Sequence, residues 1–223
     1  MTASYRIVIA DKAYSSWSMR GWLLLAAFGL PFEEEVVPLY SPEFEAMQAA
    51  RAPARTVPML EIQDGGRATL VWDSLAIAET LAERHPGAGI WPADSAHRAL
   101  ARSLAAEMHS GFTALRGACP MNLHPHARPR ATLPAGVGAD LDRLAAIWGH
   151  ALAATGGPWL GGARFSAADA FFAPVATRLD SYALMTPGTE PYARRLLAHP
   201  AVARWIGAGR ADPRRVALYD AVD

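Results

Sequence analysis

The feature that most constrains this chain is a change of pattern at Pro86-Gly87-Ala88-Gly89, with Trp91-Pro92 close behind. Proline and glycine clustered in this way interrupt regular elements. Ahead of the cluster, apolar or alternating runs of strand length are interleaved with helical patterns. Beyond it the strand signals stop and only helical periodicities continue. That order predicts an α/β domain over residues 1–86, a linker over 87–94 and an all-helical domain over 95–223. A chain of 223 residues and 23.9 kDa is long enough to bury a sizeable core in such an arrangement.

In the first part, Tyr5 to Ala10 reads as a strand that enters a turn with Asp11 and Lys12. The run Tyr14-Ser15-Ser16-Trp17-Ser18-Met19-Arg20 then opens a helix with apolar positions at Trp22, Leu23, Leu25, Ala26 and Phe28. Gly29 stands where a left-handed cap belongs, and Pro31 prevents continuation. A strand over Glu33–Leu39, a short helix over Pro42–Ala50 and a strand over Thr56–Ile62 follow. Pro58 opens that strand, where its missing N–H is tolerated and a cis bond is natural. Asp64-Gly65-Gly66 is a hairpin turn into Ala68–Trp72, after which Asp73-Ser74 starts a helix over Leu75–Arg84. Past the linker, helical patterns cover Ala96–Gly117, Gly138–Ala154, Ala167–Leu179, Tyr192–Leu197 and Ala201–Ala208.

The chemistry concentrates where strands give way to helices. A serine ahead of a helix is a preferred N-cap, which by itself accounts for Ser15, Ser16 and Ser18. The same helix end carries partial positive charge and free N–H groups, so it also suits an anion such as a thiolate, to which a neighbouring hydroxyl donates. A thiol with pKa near ~8.5 is only a few per cent ionised at pH 7, and lowering it to ~6.5 takes about 2.7 kcal/mol of selective anion stabilisation. A helix terminus with one or two hydroxyl donors is of the right strength.

Lys plus Arg and Asp plus Glu both number 21, and this balance gives no support to nucleic-acid or anionic-membrane binding. Cys119 is the only cysteine, which rules out an intrachain disulfide and a Cys-rich structural metal site and favours a cytoplasmic protein. Cys119, His124 and His126 have metal-like spacing but no partner ligand set elsewhere, so no metal is expected. No run is long enough to span a bilayer. Trp22 to Leu30 is not read as a signal peptide, because charged residues and a strand precede it and no cleavage pattern follows.

With these elements placed, the sequence resembles the cytosolic glutathione transferase superfamily over essentially its whole length, most closely its serine-type, zeta-like bacterial members. Ser15-Ser16-Trp17-Ser18-Met19-Arg20 stands where that class has Ser-Ser-Cys-x-x-Arg, with Trp17 replacing the cysteine. Val57-Pro58-x-Leu60, Asp73-Ser74 and Ser166-Ala167-Ala168-Asp169 match three further family motifs in order. The resemblance implies a thioredoxin-like α/β N-terminal domain that binds glutathione and an all-α C-terminal domain that carries the pocket for an electrophile. It implies no metal, a cytoplasmic location and a homodimer.

By the same resemblance Ser15 is the foremost donor to the glutathione sulfur, Ser16 the second and Tyr14 a third. Val57, ahead of a cis Pro58, would pair through its backbone with the cysteinyl part, and Asp73 and Ser74 would hold the γ-glutamyl end. The family's Asn-Pro-x-Lys or Asn-Pro-x-Gly is here Ala52-Pro53-Ala54-Arg55, so Arg55 either takes the glycyl carboxylate or is simply solvated. Ser166 and Asp169 form a capping box with Phe165 as its staple. One turn into its helix, Arg20 is expected to pair internally with a carboxylate.

The electrophile pocket is expected on the first helix of the second domain, beside Trp17. Leu104, Met108, Phe112 and Leu115 form an apolar stripe there, and Arg102, His109 and Arg116 recur every seven residues along one line beside it. That line is either a solvated edge or a receiver for an acidic or carbonyl-bearing substrate, with His109 as a general acid. Three functions follow from these residues: a glutathione transferase; a glutathione-dependent isomerase of an unsaturated dicarboxylate; or a non-catalytic binding protein that keeps the fold. A thiol-disulfide oxidoreductase is set aside, since the first-helix turn has no cysteine.

Overall fold

The structure, a computed structural model, describes residues 3–124 and 132–220. Strands β1 (Ser4–Ala10), β2 (Glu33–Val37), β3 (Met59–Asp64) and β4 (Arg67–Val71) form one mixed sheet in the order β2-β1-β3-β4. β2 runs parallel to β1 and the other pairs are antiparallel. A parallel pair needs a crossover, and α1 (Ser16–Ala26) supplies it. α2 (Pro42–Ala50) covers the other face, and α3 (Ser74–Arg84) follows β4. This is a thioredoxin-like α/β domain. The helical domain comprises α4 (Ser95–Ser110), α5 (Thr113–Ala118), α6 (Val137–Thr155), α7 (Ala167–Ser181), α8 (Glu190–Ala198), α9 (Pro200–Ala211) and the single turn α10 (Ala217–Asp220).

β1 is covered on both faces. Tyr5, Ile7 and Ile9 enter the main core, while Val8 and Ala10 enter a smaller one with Val37, Met47 and Met59 beneath α2. Burial on both sides is why Tyr5–Ala10 reads as a nearly unbroken apolar run. The main core continues through α1 into the helical domain, where α7 is buried from Ala167 to Leu179 and packs on α1 and α4. Trp148 of α6 fixes the far side, 5.6 Å from the Phe172 ring and 4.8 Å from Tyr192 between centroids. Truncating such a residue to alanine typically costs about 3–5 kcal/mol.

Close approach of α1 to the start of β3 depends on Gly21. A Cβ there would lie 2.6 Å from the Pro58 ring, so no larger residue fits without moving the helix or the loop. The Val57-Pro58 bond is cis, as its position at the opening of the strand predicts. Gly29 has φ +68°, as expected for a residue that ends α1 on the left-handed side.

The single helix expected over Ala96–Gly117 is a correction. α4 stops at Ser110; Gly111 is extended with φ −102° and ψ −163°, and Phe112 has φ +56°. A Cβ at Gly111 would sit 2.8 Å from the Glu107 carbonyl oxygen, so glycine permits the break. The break turns Phe112 into the core beside Phe172. Arg116 therefore belongs to α5, and the seven-residue line through Arg102, His109 and Arg116 does not exist as one helical face.

The capping box at α7 is present. Asp169 is wholly buried and accepts from four donors: the Ser166 N–H and hydroxyl at 2.7 Å each, the Leu160 N–H at 2.9 Å and the Tyr192 hydroxyl at 2.6 Å. Burial raises its carboxyl above the usual range, and all four donors oppose that. Phe165, the expected staple, packs against Phe28, Trp159 and His199.

Candidate functional site

A cavity of about 770 Å³ opens between the start of α1, the loop before β3, the start of α3, α5 and the C-terminal turn. Ser15, Ser16, Trp17, Arg55, Val57, Pro58, Asp73, Ser74 and Arg116 all line it. Residues that the sequence spreads over a hundred positions are thus brought to one wall. Two of the expected residues are elsewhere. Arg102 lies outside the cavity, in a bidentate pair with Glu79 at 2.8–3.0 Å and over the Trp91 ring. His109 stands behind the wall, where it touches Asp73 and Trp17 rather than the open space.

The two serines differ in what they have left to offer. Ser15 is the N-cap of α1: its oxygen accepts from the Ser18 N–H at 3.3 Å and its hydroxyl donates to Ser18 Oγ at 2.7 Å. Ser18 Oγ in turn accepts from the Ala10 N–H at 2.9 Å, which ties the turn to β1. Ser16, the first residue of the helix proper, instead accepts from Arg178 Nη2 at 3.2 Å. Its own hydroxyl hydrogen has no acceptor among the described residues.

Tyr14 is held by the C-terminal turn. Its hydroxyl donates to the Asp220 carboxylate at 3.0–3.2 Å and accepts from the Val216 N–H, and burial pushes its pKa up to about 12. A tyrosine so placed is a poor thiolate donor.

At the start of α3, Asp73 is the N-cap, with Oδ1 accepting from the Leu75 N–H at 2.8 Å and Oδ2 lying 3.2 Å from His109 Nε2. Burial, reinforced by Arg20 and Arg116 against Asp73, lowers the His109 pKa, so the ring is neutral at pH 7 beside the Asp73 carboxylate. Next to it, the Ser74 hydroxyl is buried with no hydrogen-bond partner among the described residues. A buried hydroxyl without a partner costs free energy. At the wall of a polar cavity, that cost is relieved when a ligand binds.

Arg20 and Arg116 flank the Trp17 indole, with guanidinium carbons 4.5 and 4.9 Å from its centroid. The expectation that Arg20 pairs with a carboxylate is a correction. No carboxylate lies within ion-pair distance among the described residues, Nε and Nη1 have no hydrogen-bond partner, and burial first, then Arg178 and Arg116, lowers its pKa to about 9. Trp17, where the family motif has cysteine, provides the π face that this buried cation rests on.

Arg178 was missed by sequence reasoning. It is buried on α7, donates through Nε to the Cys119 carbonyl at 2.9 Å and through Nη1 to the Pro174 carbonyl at 3.0 Å, and has no carboxylate partner among the described residues. The signal was present, since Phe171, Pro174 and Arg178 lie on one apolar stripe and an arginine there needs a reason. Tyr219 was missed too, and a four-residue turn near the C-terminus carries no pattern that finds it. Arg116 and Arg178 reach the cavity and Arg55 lies at its rim, against one carboxylate, Asp73. A chain with no net charge has therefore gathered positive charge here, and the pocket suits anions.

His126 of the Cys119-to-His126 run lies outside the described residues. Among the described residues, no three His, Cys, Asp or Glu side chains group as a metal site, and no helix is long and apolar enough to cross a membrane.

Comparisons with known proteins bear on the fold and the family. The family model for the glutathione S-transferase N-terminal domain matches residues 14–84, and that for the C-terminal domain matches residues 126–208. Comparison with curated proteins gives no match. Among solved structures, a maleylacetoacetate isomerase from Anaeromyxobacter dehalogenans with bound glutathione in the active site is 28% identical over 96% of this chain and 97% of its own, with TM-score 0.63. The same isomerase is also known with dicarboxyethyl glutathione and citrate in the active site, at 27% identity, the same two coverages and TM-score 0.62. A glutathione transferase homologue from Burkholderia with bound glutathione shares the fold at 24% identity and TM-score 0.68, over 94% of this chain and all of its own. With both domains matched in order and the thioredoxin-like and helical halves joined as in these structures, the chain belongs to the glutathione transferase superfamily.

Proposed function

We propose that this protein is a glutathione transferase that holds glutathione in the cavity at the start of α1 and favours its thiolate for attack on an electrophile. The observation that carries the reading is the partnerless buried Ser74 hydroxyl beside Asp73, on the same wall as cis-Pro58 and the first turn of α1. In this reading Asp73 receives the γ-glutamyl ammonium, Ser74 donates to the γ-glutamyl carboxylate, Val57 pairs through its backbone with the cysteinyl part, and Arg55 takes the glycyl carboxylate. The sulfur then rests at the positive end of α1, where a hydroxyl of the Ser15-Ser16 pair donates to it. Ionisation sends the S–H proton to solvent, and the serine keeps its own. It is a donor, not a nucleophile.

Residues 1–86 serve as the glutathione domain, 87–94 as linker and 95–223 as the part that brings the electrophile. The lone, buried Cys119 suits a reducing cytoplasm, and family resemblance supports a homodimer. The test is retention on immobilised glutathione together with conjugation of a generic aryl halide. A folded protein that binds no glutathione overturns the proposal.

A second reading, isomerisation of an unsaturated dicarboxylate through a glutathione adduct, draws on Arg116 and Arg178. Both are cations at the cavity without a carboxylate partner, and a relative holds dicarboxyethyl glutathione and citrate. Turnover of maleyl-type substrates exceeding that of aryl halides would favour it, and absence of such turnover would remove it.

A further inference from the structure

We propose that Ser16, not Ser15, is the hydroxyl that meets the glutathione sulfur, and that the buried guanidinium of Arg178 is a positioning residue that orients Ser16 and sharpens its donor character. The inference rests on the function proposed above and assigns the residues that set the acidity of the bound thiol.

Two observations separate the serines. The Ser15 hydroxyl donates inward to Ser18 Oγ at 2.7 Å while its oxygen caps the Ser18 N–H, so both its functions serve the turn. The Ser16 oxygen accepts from Arg178 Nη2 at 3.2 Å, which leaves its hydrogen free on the cavity wall. A hydroxyl that accepts from a cation becomes a stronger donor, because successive hydrogen bonds polarise one another in a low-dielectric setting.

Arg178 is built for the task. Carbonyls of Cys119 and Pro174 hold two of its nitrogens, so the third is aimed at Ser16 from the buried stretch of α7. Burial lowers its pKa only to about 10, so it keeps its charge at pH 7. A buried cation whose neighbours are dipoles rather than a carboxylate favours an incoming anion. The other titratable or charged groups at the cavity are Tyr14, Tyr40 and Tyr219 near the C-terminal turn, Arg55 before β3, Asp73 at α3 and Arg116 on α5. Burial raises Tyr14 and Tyr219, which keeps both neutral while a thiol of lowered pKa ionises.

The experiment measures glutathione affinity by calorimetry and the pKa of the bound thiol by the ultraviolet absorbance of the thiolate, on the full chain and on variants. We expect Ser16→Ala to raise the bound-thiol pKa by about one unit, a ~10-fold loss of thiolate below that pKa, with affinity for glutathione changed less than about threefold. Ser15→Ala, which removes the cap of α1, should lower the urea midpoint but raise the bound-thiol pKa less than Ser16→Ala does, and Ser16→Thr should retain the wild-type value. Arg178→Met should raise it as Ser16→Ala does, and the double variant no further. Arg178→Gln, which also removes the charge, serves as the second variant if methionine is not tolerated in the core. A rise with Ser15→Ala and none with Ser16→Ala overturns the assignment of the hydroxyl. In whichever Arg178 variant folds, a wild-type thiol pKa overturns the role of Arg178. Wild-type protein that binds no glutathione overturns the proposed function itself, a result distinct from binding with an unmoved pKa.

Discussion

Among the described residues, two helices have a buried serine as N-cap, Ser15 at α1 and Ser166 at α7, and the two turns are used differently. At α7 the polar side chains of the turn are answered: Ser166 and Asp169 bond each other, and the carboxylate takes two further donors from Leu160 and Tyr192. At α1 the turn is tied to β1 through Ser15 and Ser18, yet around it stand a Ser16 hydroxyl with a free hydrogen, a partnerless Ser74 hydroxyl and two buried arginines without carboxylates. A closed polar network stabilises the fold, whereas an open one keeps bonding capacity for something else. The pair therefore distinguishes a structural cap from a ligand site without appeal to motif.

The largest effect that sharpens this contrast is expected at the closed end. Asp169→Ala removes the acceptor of four buried donors, and roughly 4 kcal/mol of folding stability should go with it. A urea titration followed by far-ultraviolet circular dichroism measures that loss. Any molecules that stay folded should bind glutathione with unchanged affinity. A loss below about 1 kcal/mol would mean that the α7 turn is no more closed than the α1 turn.

Ser74→Ala probes the open end and should act in the opposite sense. The hydroxyl has no partner in the folded chain, so its removal should leave the urea midpoint unchanged or slightly higher. Affinity for glutathione, measured by calorimetry, should fall about tenfold, the worth of one hydrogen bond to a charged group. Lower stability with unchanged affinity would make Ser74 part of the scaffold and break the comparison.

A smaller effect concerns pH. His109 is held neutral because burial, Arg20 and Arg116 together outweigh Asp73. Its folded pKa is thus below that of the unfolded chain, near ~6.5. Stability from this source is complete above the unfolded value and is lost as pH falls through the folded one, since the unfolded ring takes up a proton that the folded ring resists. His124 and His199 are lowered in the same direction, so the whole protein should lose stability between neutral and mildly acidic pH. His109→Gln removes the titrating ring and leaves a polar side chain beside Asp73, and it should make the drop in urea midpoint from pH 7.5 to pH 5.5 smaller than in the wild type.

How far these features were visible in the sequence depends on how local their cause is. The β1-to-α1 turn, the hairpin at Gly65-Gly66, the Val57-Pro58 bond and the α7 capping box all follow from residues within a few positions of one another, and all are present. The break at Gly111-Phe112 was hidden because the apolar spacing of Met108, Phe112 and Leu115 is that of one continuous helix. What decides it is the room beside Phe172 for a Phe112 ring turned inward. Arg178 was hidden for a related reason: its partners are Ser16, 162 positions away, and Cys119, 59 positions away. Arg102 lies outside the cavity because it pairs with Glu79 of α3, 23 positions earlier, a contact that no local pattern shows.

Arg102 therefore supplies the weakest effect and the sharpest control. It was chosen from the sequence for its charge, and charge alone does not place a residue in a site. Its guanidinium is half exposed and paired with an equally accessible Glu79. Solvent screens such a pair, and it contributes less than about 1 kcal/mol. Arg102→Gln should shift the urea midpoint barely at all and leave both glutathione affinity and turnover at wild-type values. Arg116→Gln, by contrast, removes a cation that lines the cavity and touches Trp17, and should depress turnover of an anionic electrophile more than of a neutral one. If Arg102→Gln lowered turnover as much as Arg116→Gln, anion capture would depend on the overall positive field of the helical domain, and the open network around the start of α1 would lose its claim to be the site.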